Sequence, residues 1–232
     1  MSPPQPESGG AGMIRRLVLK DWYFHRFALL GYLGGGALAL VLVATGGSLS
    51  FYLGSSLLIT VLIGLGIHLP MSTVIEERRR RTLAFVMSLP VSPRDYTLAK
   101  MLANLLIVLV PWLALLAGAA AVILARPALP DGLLPFAVVL LVEIFAGFCL
   151  ILGVALVTES LGWTVAAMVF GNLFFQGFLY WVSHLPSVAA AIATENKAFN
   201  PAELGLLAGL LIFIALTLQL TFFLQSRKKD FL

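Results

Sequence analysis

The sequence has few charged residues, and this scarcity excludes an ordinary soluble domain. Charged side chains make up 11% of the 232 residues, whereas hydrophobic side chains make up 60%. Soluble domains contain about 25% charged and about 45–50% apolar residues. Because a helix of about 20 apolar residues crosses a bilayer, the chain has room for about six spans and little else. We therefore expect an all-α integral membrane protein without a soluble domain.

The sequence also lacks the motifs of several common chemistries. None of its lysines follows a glycine, so a phosphate-binding loop of the form GxxxxGK[ST] is excluded. The three histidines do not have the spacing of metal ligands. The single cysteine, Cys149, excludes an intrachain disulfide, and no GxSG-like loop indicates a serine protease. We therefore expect no catalytic residue, no metal site and no cofactor bound by this chain.

Six apolar runs are long enough to cross a bilayer. They occupy about residues 27–45, 52–75, 101–124, 134–157, 162–183 and 203–226. The first is longer than the core of a secretory signal peptide, which disfavours cleavage. Residues 1–12 are rich in Pro, Gly and Ser, which predicts a disordered tail. Residues 13–232 are therefore expected to form a single transmembrane domain.

The segment before the first span alternates apolar and charged residues with helical spacing. Between Met13 and Arg26, apolar side chains recur every three to four residues, with Lys20 and Asp21 among the intervening positions. This pattern predicts an N-terminal amphipathic helix that lies in the membrane interface, with Trp22 at the headgroup level. The alternative is that the segment extends the first span into the cytosol.

The cations predict the orientation of the chain. Of the 15 Lys and Arg residues, 13 lie before span one, between spans two and three, or after span six. Only Arg126 and Lys197 lie in the other loops. By the positive-inside rule, both termini and the loop between spans two and three are cytoplasmic, and the plasma (inner) membrane is the expected location. The basic excess thus indicates topology and not nucleic-acid binding.

The loops contain two helix-start signals and one short helical pattern. Ser92 precedes Pro93, which predicts a helix that begins there and runs into span three. Asn200, Pro201 and Glu203 repeat the pattern before span six. The alanine-rich residues 188–193 predict a short helix on the outer side.

The loop from Glu76 to Lys100 contains an apolar octet, Thr82–Leu89, that ends at Pro90. Proline lacks the amide hydrogen that would continue a helix, so the octet is predicted to form a short helix before a proline corner. Its large apolar side chains are unfavourable in water. They therefore lie on the bilayer surface or occupy a groove on another protein.

The same loop resembles the cytoplasmic loop of ABC-2 type transporter permeases. The resemblance lies in Glu77, Thr82-Leu83, the run Ser88-Leu89-Pro90-Val91-Ser92, and Lys100. The sequence departs from the family pattern at Arg81, where glycine is usual, and at Ala84, where glutamate is frequent.

The resemblance implies the permease subunit of an ATP-binding-cassette exporter, which is not itself an enzyme. A separate cytoplasmic ATPase subunit would bind ATP and Mg²⁺, and a second permease copy would complete the translocation path within the lipid bilayer. The resemblance implies a coupling helix that docks on the ATPase through Glu76, Glu77, Arg78, Thr82, Leu83, Phe85, Val86, Met87, Leu89 and Pro90.

Three polar residues inside the spans are candidates for the translocation path. Glu143 is the one acid well inside an apolar run, and such groups usually face the protein interior or a watery cavity. Asn172 and Gln176 lie four residues apart, on one face of span five. A structural role in interhelical hydrogen bonding is the alternative for all three.

Two other functions remain open at this point. An ion-coupled secondary transporter or channel subunit would use Glu143 or Glu159 and would need no ATPase. A membrane scaffold would use the loop to bind a partner that is not an ATPase.

Overall fold

The structure, a computed structural model, describes residues 10–76 and 93–227. Within these ranges the regular elements are all helical, which confirms the predicted fold class. The α-helices are α1 (Gly10–Ala44), α2 (Ser48–Pro70), α3 (Pro93–Ala125), α4 (Leu133–Thr158), α5 (Leu161–Ser183), α6 (Pro186–Ile192) and α7 (Pro201–Arg227). A π-helical turn, Met71–Ile75, continues α2.

Six of the described helices are long and apolar enough to cross a membrane, as predicted. The candidate spans are Val18–Ala44, Ser48–Ile75, Leu98–Ala125, Leu133–Thr158, Leu161–Ser183 and Pro201–Arg227. Five begin within four residues of the predicted starts. The first begins at Val18, well before the predicted residue 27, because α1 has no break near Arg26.

The continuous α1 does not confirm a separate N-terminal interfacial helix. It runs from Gly10 to Ala44, so the amphipathic segment is its first part, in agreement with the alternative interpretation. Asp21 and His25 are buried there, with 3% and 6% of their surface exposed. The polar pattern thus includes groups that face other helices. The predicted disordered tail lies mostly outside the described residues.

The loop between α2 and α3 defines one end of the bundle, which we call the loop end. Short turns connect most of the long helices, so successive spans alternate in direction. The first residues of α1 and the end of α7 therefore lie at the loop end. A hydrogen bond from Gln225 of α7 to the carbonyl of Leu156 near the end of α4 joins two helices there.

Helix α4 lies at the centre of the bundle, and α7 lies at its periphery. In the most apolar window of each helix, 67% of the α4 residues are buried but only 6% of the α7 residues. The two helices approach closely at Gly153, where an added Cβ would lie 2.6 Å from Thr221 Oγ1. Close packing is also found at one of the three consecutive glycines of α1, since a Cβ on Gly36 would lie 2.4 Å from Leu115 Cδ2.

The helix starts agree with their sequence signals. Helix α3 begins at Pro93 and contains 33 residues, so it is about 50 Å long at 1.5 Å per residue. At the start of α7, the Asn200 side chain accepts a hydrogen bond from the Glu203 amide at 2.8 Å, and Glu203 accepts one from the Asn200 amide at 2.9 Å. This reciprocal pair is the predicted capping box. Helix α6 confirms the short helix predicted between spans five and six.

Candidate functional site

Nearly all of the predicted coupling helix lies outside the described residues. This applies to Glu77, Arg78, Thr82, Leu83, Phe85, Val86, Met87, Leu89 and Pro90. The described chain reaches Glu76, which is half-buried and follows the π-helical turn, and resumes at Pro93. The structure therefore gives the two helices that flank the segment, and the docking role stays a prediction.

A buried ion pair joins α1 to α3 near these flanks. Lys100 Nζ lies 2.8 Å from Asp21 Oδ2, and the two side chains are 3% and 5% exposed. Lys20, which is largely exposed, lies 3.5 Å from the other carboxylate oxygen of Asp21. The Asp21–Lys100 pair connects residues 79 positions apart. It therefore connects the start of the third span directly to the first.

A buried hydrogen-bond network extends this connection to α2. The Thr73 hydroxyl lies 2.8 Å from the Leu69 carbonyl and 2.9 Å from Asn104 Oδ1. Asn104 Nδ2 donates to the carbonyl of Lys100 at 2.9 Å. Since Thr73 lies in the π-helical turn, the end of α2 and the start of α3 are held together on both sides of the undescribed segment.

The sequence pattern alone does not predict this polar cluster. It places Asp21 on the polar face of an interfacial helix, and Lys100 contributes only to the topology and to the family resemblance. Asn104 was not singled out, although an asparagine at the entrance of an apolar span is a signal for an interhelical hydrogen bond. The pairing itself has no local sequence signal.

Glu143 is buried in the middle of α4, with 3% of its surface exposed. Its Oε2 atom is buried and has no hydrogen-bond partner among the described residues. The carboxylate nevertheless borders two clefts, one on each side of α5. Gly147 and Gly171 also line both clefts, so the two clefts are adjacent to each other at positions where α4 and α5 lack side chains.

The two clefts differ in size and in polarity. The cleft between α2, α4 and α5 has a volume of about 40 Å³, and Asn172 lies on its wall with Glu143. The cleft between α4, α5 and α7 has a volume of about 490 Å³. The larger cleft contains three phenylalanines, and Glu143 is the single polar side chain among its described lining residues.

The structure brings together two of the three path candidates. Glu143 and Asn172 line the same small cleft, whereas Gln176 lines neither cleft. Asn172 and Gln176 are both exposed on α5, and no hydrogen bond connects their side chains to the described part of the chain. An interhelical hydrogen bond among residues 10–76 and 93–227 therefore does not explain either residue.

Comparison with known proteins identifies the family. A family model described as an ABC-2 family transporter protein matches residues 42–161, which is just over half of the 232 residues. The match includes α2, the undescribed loop, α3 and α4, and therefore contains both Lys100 and Glu143. No curated protein and no solved structure matches the chain. The chain belongs to the ABC-2 transporter family and is a multi-pass transmembrane permease.

Proposed function

We propose that this permease is the membrane subunit of an ATP-driven exporter whose ATPase is a separate cytoplasmic chain. The main support is the composition of the segment between α2 and α3. It contains an apolar octet in which four of the five residues from Phe85 to Leu89 are large and apolar, and the fifth is a serine. The sequence also has no phosphate-binding loop of its own. A permease that lacks the ATPase chemistry requires a surface that receives force from a partner.

The helices that flank the segment are suited to transmit such a force. The 33 residues of α3 form one continuous helix, and a helix about 50 Å long extends beyond the hydrocarbon core of about 30 Å. The Asp21–Lys100 ion pair and the Thr73–Asn104 hydrogen bond join this helix to α1 and α2. Displacement of the coupling helix would therefore move three spans together.

The distribution of cations supports a cytoplasmic location for the loop end. In this topology both termini and residues 76–100 face the cytoplasm of a plasma (inner) membrane. The partner ATPase, with its ATP and Mg²⁺, would then bind where the coupling helix is presented. Arg78 and its neighbouring arginines would add salt-dependent contacts to that complex.

A second permease copy, or a related chain, would cover the exposed face of α5. Asn172 and Gln176 lie on this face, and uncompensated amide groups are unfavourable in hydrocarbon. A second chain packed against α5 would supply partners for both amides. The translocation path would then run between the two copies and include the side of each chain that contains Glu143.

The test is purification of the complex from its native membrane with Phe85 varied. Phe85→Asp places a charge in the apolar octet and should abolish both ATPase copurification and transport. Phe85→Leu keeps an apolar side chain and is the matched control, for which we expect near-normal binding. Absence of any ATPase from the wild-type complex, or normal binding by Phe85→Asp, would contradict the proposal.

The buried, unpartnered oxygen of Glu143 favours one alternative, an ion-coupled secondary transporter. The two functions differ in their energy source. The alternative would be established by three results with the chain reconstituted in vesicles. Transport would depend on an imposed proton gradient, it would continue without ATPase or ATP, and it would be lost in the Glu143→Gln variant. Transport that requires ATP hydrolysis at equal pH on both sides would exclude it.

A further inference from the structure

The larger Glu143 cleft combines one acid with an aromatic wall. Phe170, Phe174 and Phe213 line it from α5 and α7, and their exposed fractions are 71%, 63% and 42%. Glu143 lies at its base, with only 3% of its surface exposed. The remaining described lining is aliphatic or glycine. The cleft therefore presents aromatic surface near the outside of the bundle and a carboxylate below.

The volume and chemistry of this cleft fit a drug-sized organic molecule. Its volume of about 490 Å³ lies within the range of about 300–1,000 Å³ that is usual for ligand sites. The faces of aromatic rings attract cations, and a buried carboxylate without a partner favours a positively charged ligand even more strongly. An anion would be repelled, and a purely apolar ligand would leave the carboxylate uncompensated.

An inorganic metal ion fits this site less well. Hard cations require about six oxygen ligands, and softer metals prefer histidine or cysteine. Among the described residues that line the two clefts, only Glu143 and Asn172 have side chains with oxygen atoms. No group of three or more His, Cys, Asp or Glu residues able to hold a metal occurs among the described residues. The aromatic rings would contribute nothing to metal coordination.

We propose that the cleft between α4, α5 and α7 binds a lipophilic organic cation, with Glu143 as its counter-ion. The aromatic side chains contact the apolar groups of the ligand, and Glu143 neutralises its charge. The cleft opens on the side of α5 that carries Phe170 and Phe174, whereas Asn172, a proposed contact of the second copy, lines the cleft on the other side. A lipophilic cation therefore enters the larger cleft from the bilayer. This inference rests on the proposed transport function, because it assigns the chemical class of the transported molecule.

The test is direct binding of radiolabelled tetraphenylphosphonium to the purified chain in phosphatidylcholine nanodiscs. Wild-type chain should bind the cation, and unlabelled tetraphenylborate, an anion of nearly the same size and shape, should not compete. Glu143→Gln should weaken cation binding by about tenfold or more, the effect of losing one desolvated charge pair. Glu143→Asp, which keeps the charge, should retain most of the affinity.

A matched control variant is Glu203→Gln, because Glu203 is also buried but lies in the capping box at the start of α7. It should leave binding unchanged. Equal competition by the phosphonium and borate ions would overturn the proposal, and this comparison needs no variant to fold. Wild-type affinity in a folded Glu143→Gln chain would also overturn it, because the cation would then bind without Glu143 as its counter-ion.

The failure of this proposal can be distinguished from failure of the proposed function. The binding measurement uses no ATPase and no ATP, so an absent cation site leaves ATP-driven transport of another molecule intact. Conversely, cation binding without any copurifying ATPase would support the site and contradict the ATP-driven mechanism.

Discussion

Two buried ionisable sites in this bundle have opposite environments. At the loop end, Asp21 and Lys100 neutralise each other at 2.8 Å and join α1 to α3. In the middle of α4, Glu143 has a buried oxygen with no partner in the described part of the chain. A charge in apolar surroundings requires compensation. The first site supplies it internally and joins two spans, whereas the second leaves it to a ligand, a proton or another chain.

The largest expected effect comes from breaking the internal pair. Lys100→Met removes the nearer and buried one of the two lysines beside Asp21, and leaves only the largely exposed Lys20 at 3.5 Å. It should therefore lower the free energy of unfolding by about 3–5 kcal/mol. Titration of the protein with a denaturing detergent in mixed lipid–detergent micelles measures this loss of unfolding free energy. The double variant Asp21→Leu with Lys100→Met should recover most of it, because both charges are then absent.

The surface pair of Lys197 and Asp131 is the matched control. Its atoms lie 3.3 Å apart, and the Lys197 side chain is 59% exposed. Lys197→Met should therefore change the free energy of unfolding by less than about 1 kcal/mol. An equal loss in Lys100→Met and Lys197→Met would remove the distinction between a buried pair and a surface pair.

A smaller loss of unfolding free energy is expected when Asn104 is replaced, because Asn104 connects the Asp21–Lys100 region to α2 through Thr73. Asn104→Leu removes the hydrogen bonds to Thr73 and to the Lys100 carbonyl, and should cost about 1–3 kcal/mol of unfolding free energy. Asn172→Leu is the control, because Asn172 is exposed and lacks such contacts in the described chain. The same detergent titration compares the two. A larger loss in Asn172→Leu would show that a second copy contributes to the measured stability.

The smallest effect on stability, and the opposite sign, is expected at Glu143. Glu143→Gln replaces a buried carboxyl group that has an oxygen without a described partner, so the free energy of unfolding should stay constant or rise by about 1 kcal/mol. The unfolding free energy should be measured on the ligand-free protein in a lipid without net charge. A loss comparable to that of Lys100→Met would show that Glu143 is internally compensated, and would weaken the contrast between the two sites.

Much of the fold follows from local sequence patterns. Each span contains a long apolar run that the sequence shows directly, and a proline or a capping residue marks the starts of α3 and α7. The error at α1 has a physical cause, because an amphipathic pattern fits both a helix in the membrane interface and a helix whose polar side meets other spans. Only tertiary packing distinguishes these cases, and it buries Asp21.

The candidate sites were predicted to different extents. Glu143 stands out in sequence as an acid within a span, but the clefts beside it arise from the packing of α4 against α5 and α7. The Asp21–Lys100 pair joins residues 79 positions apart, and no single-sequence pattern indicates which buried acid meets which base. The coupling helix remains a prediction, since its residues lie outside those that the structure describes.

The separation of Asp21 and Lys100 also affects the order in which the protein is made. Synthesis proceeds at about 5–20 residues per second, so the 79 positions that separate them take roughly 4–16 s. During that interval the first two spans are present while Asp21 has no Lys100 to meet. The ion pair between α1 and α3 can therefore form only after the start of the third span has been made.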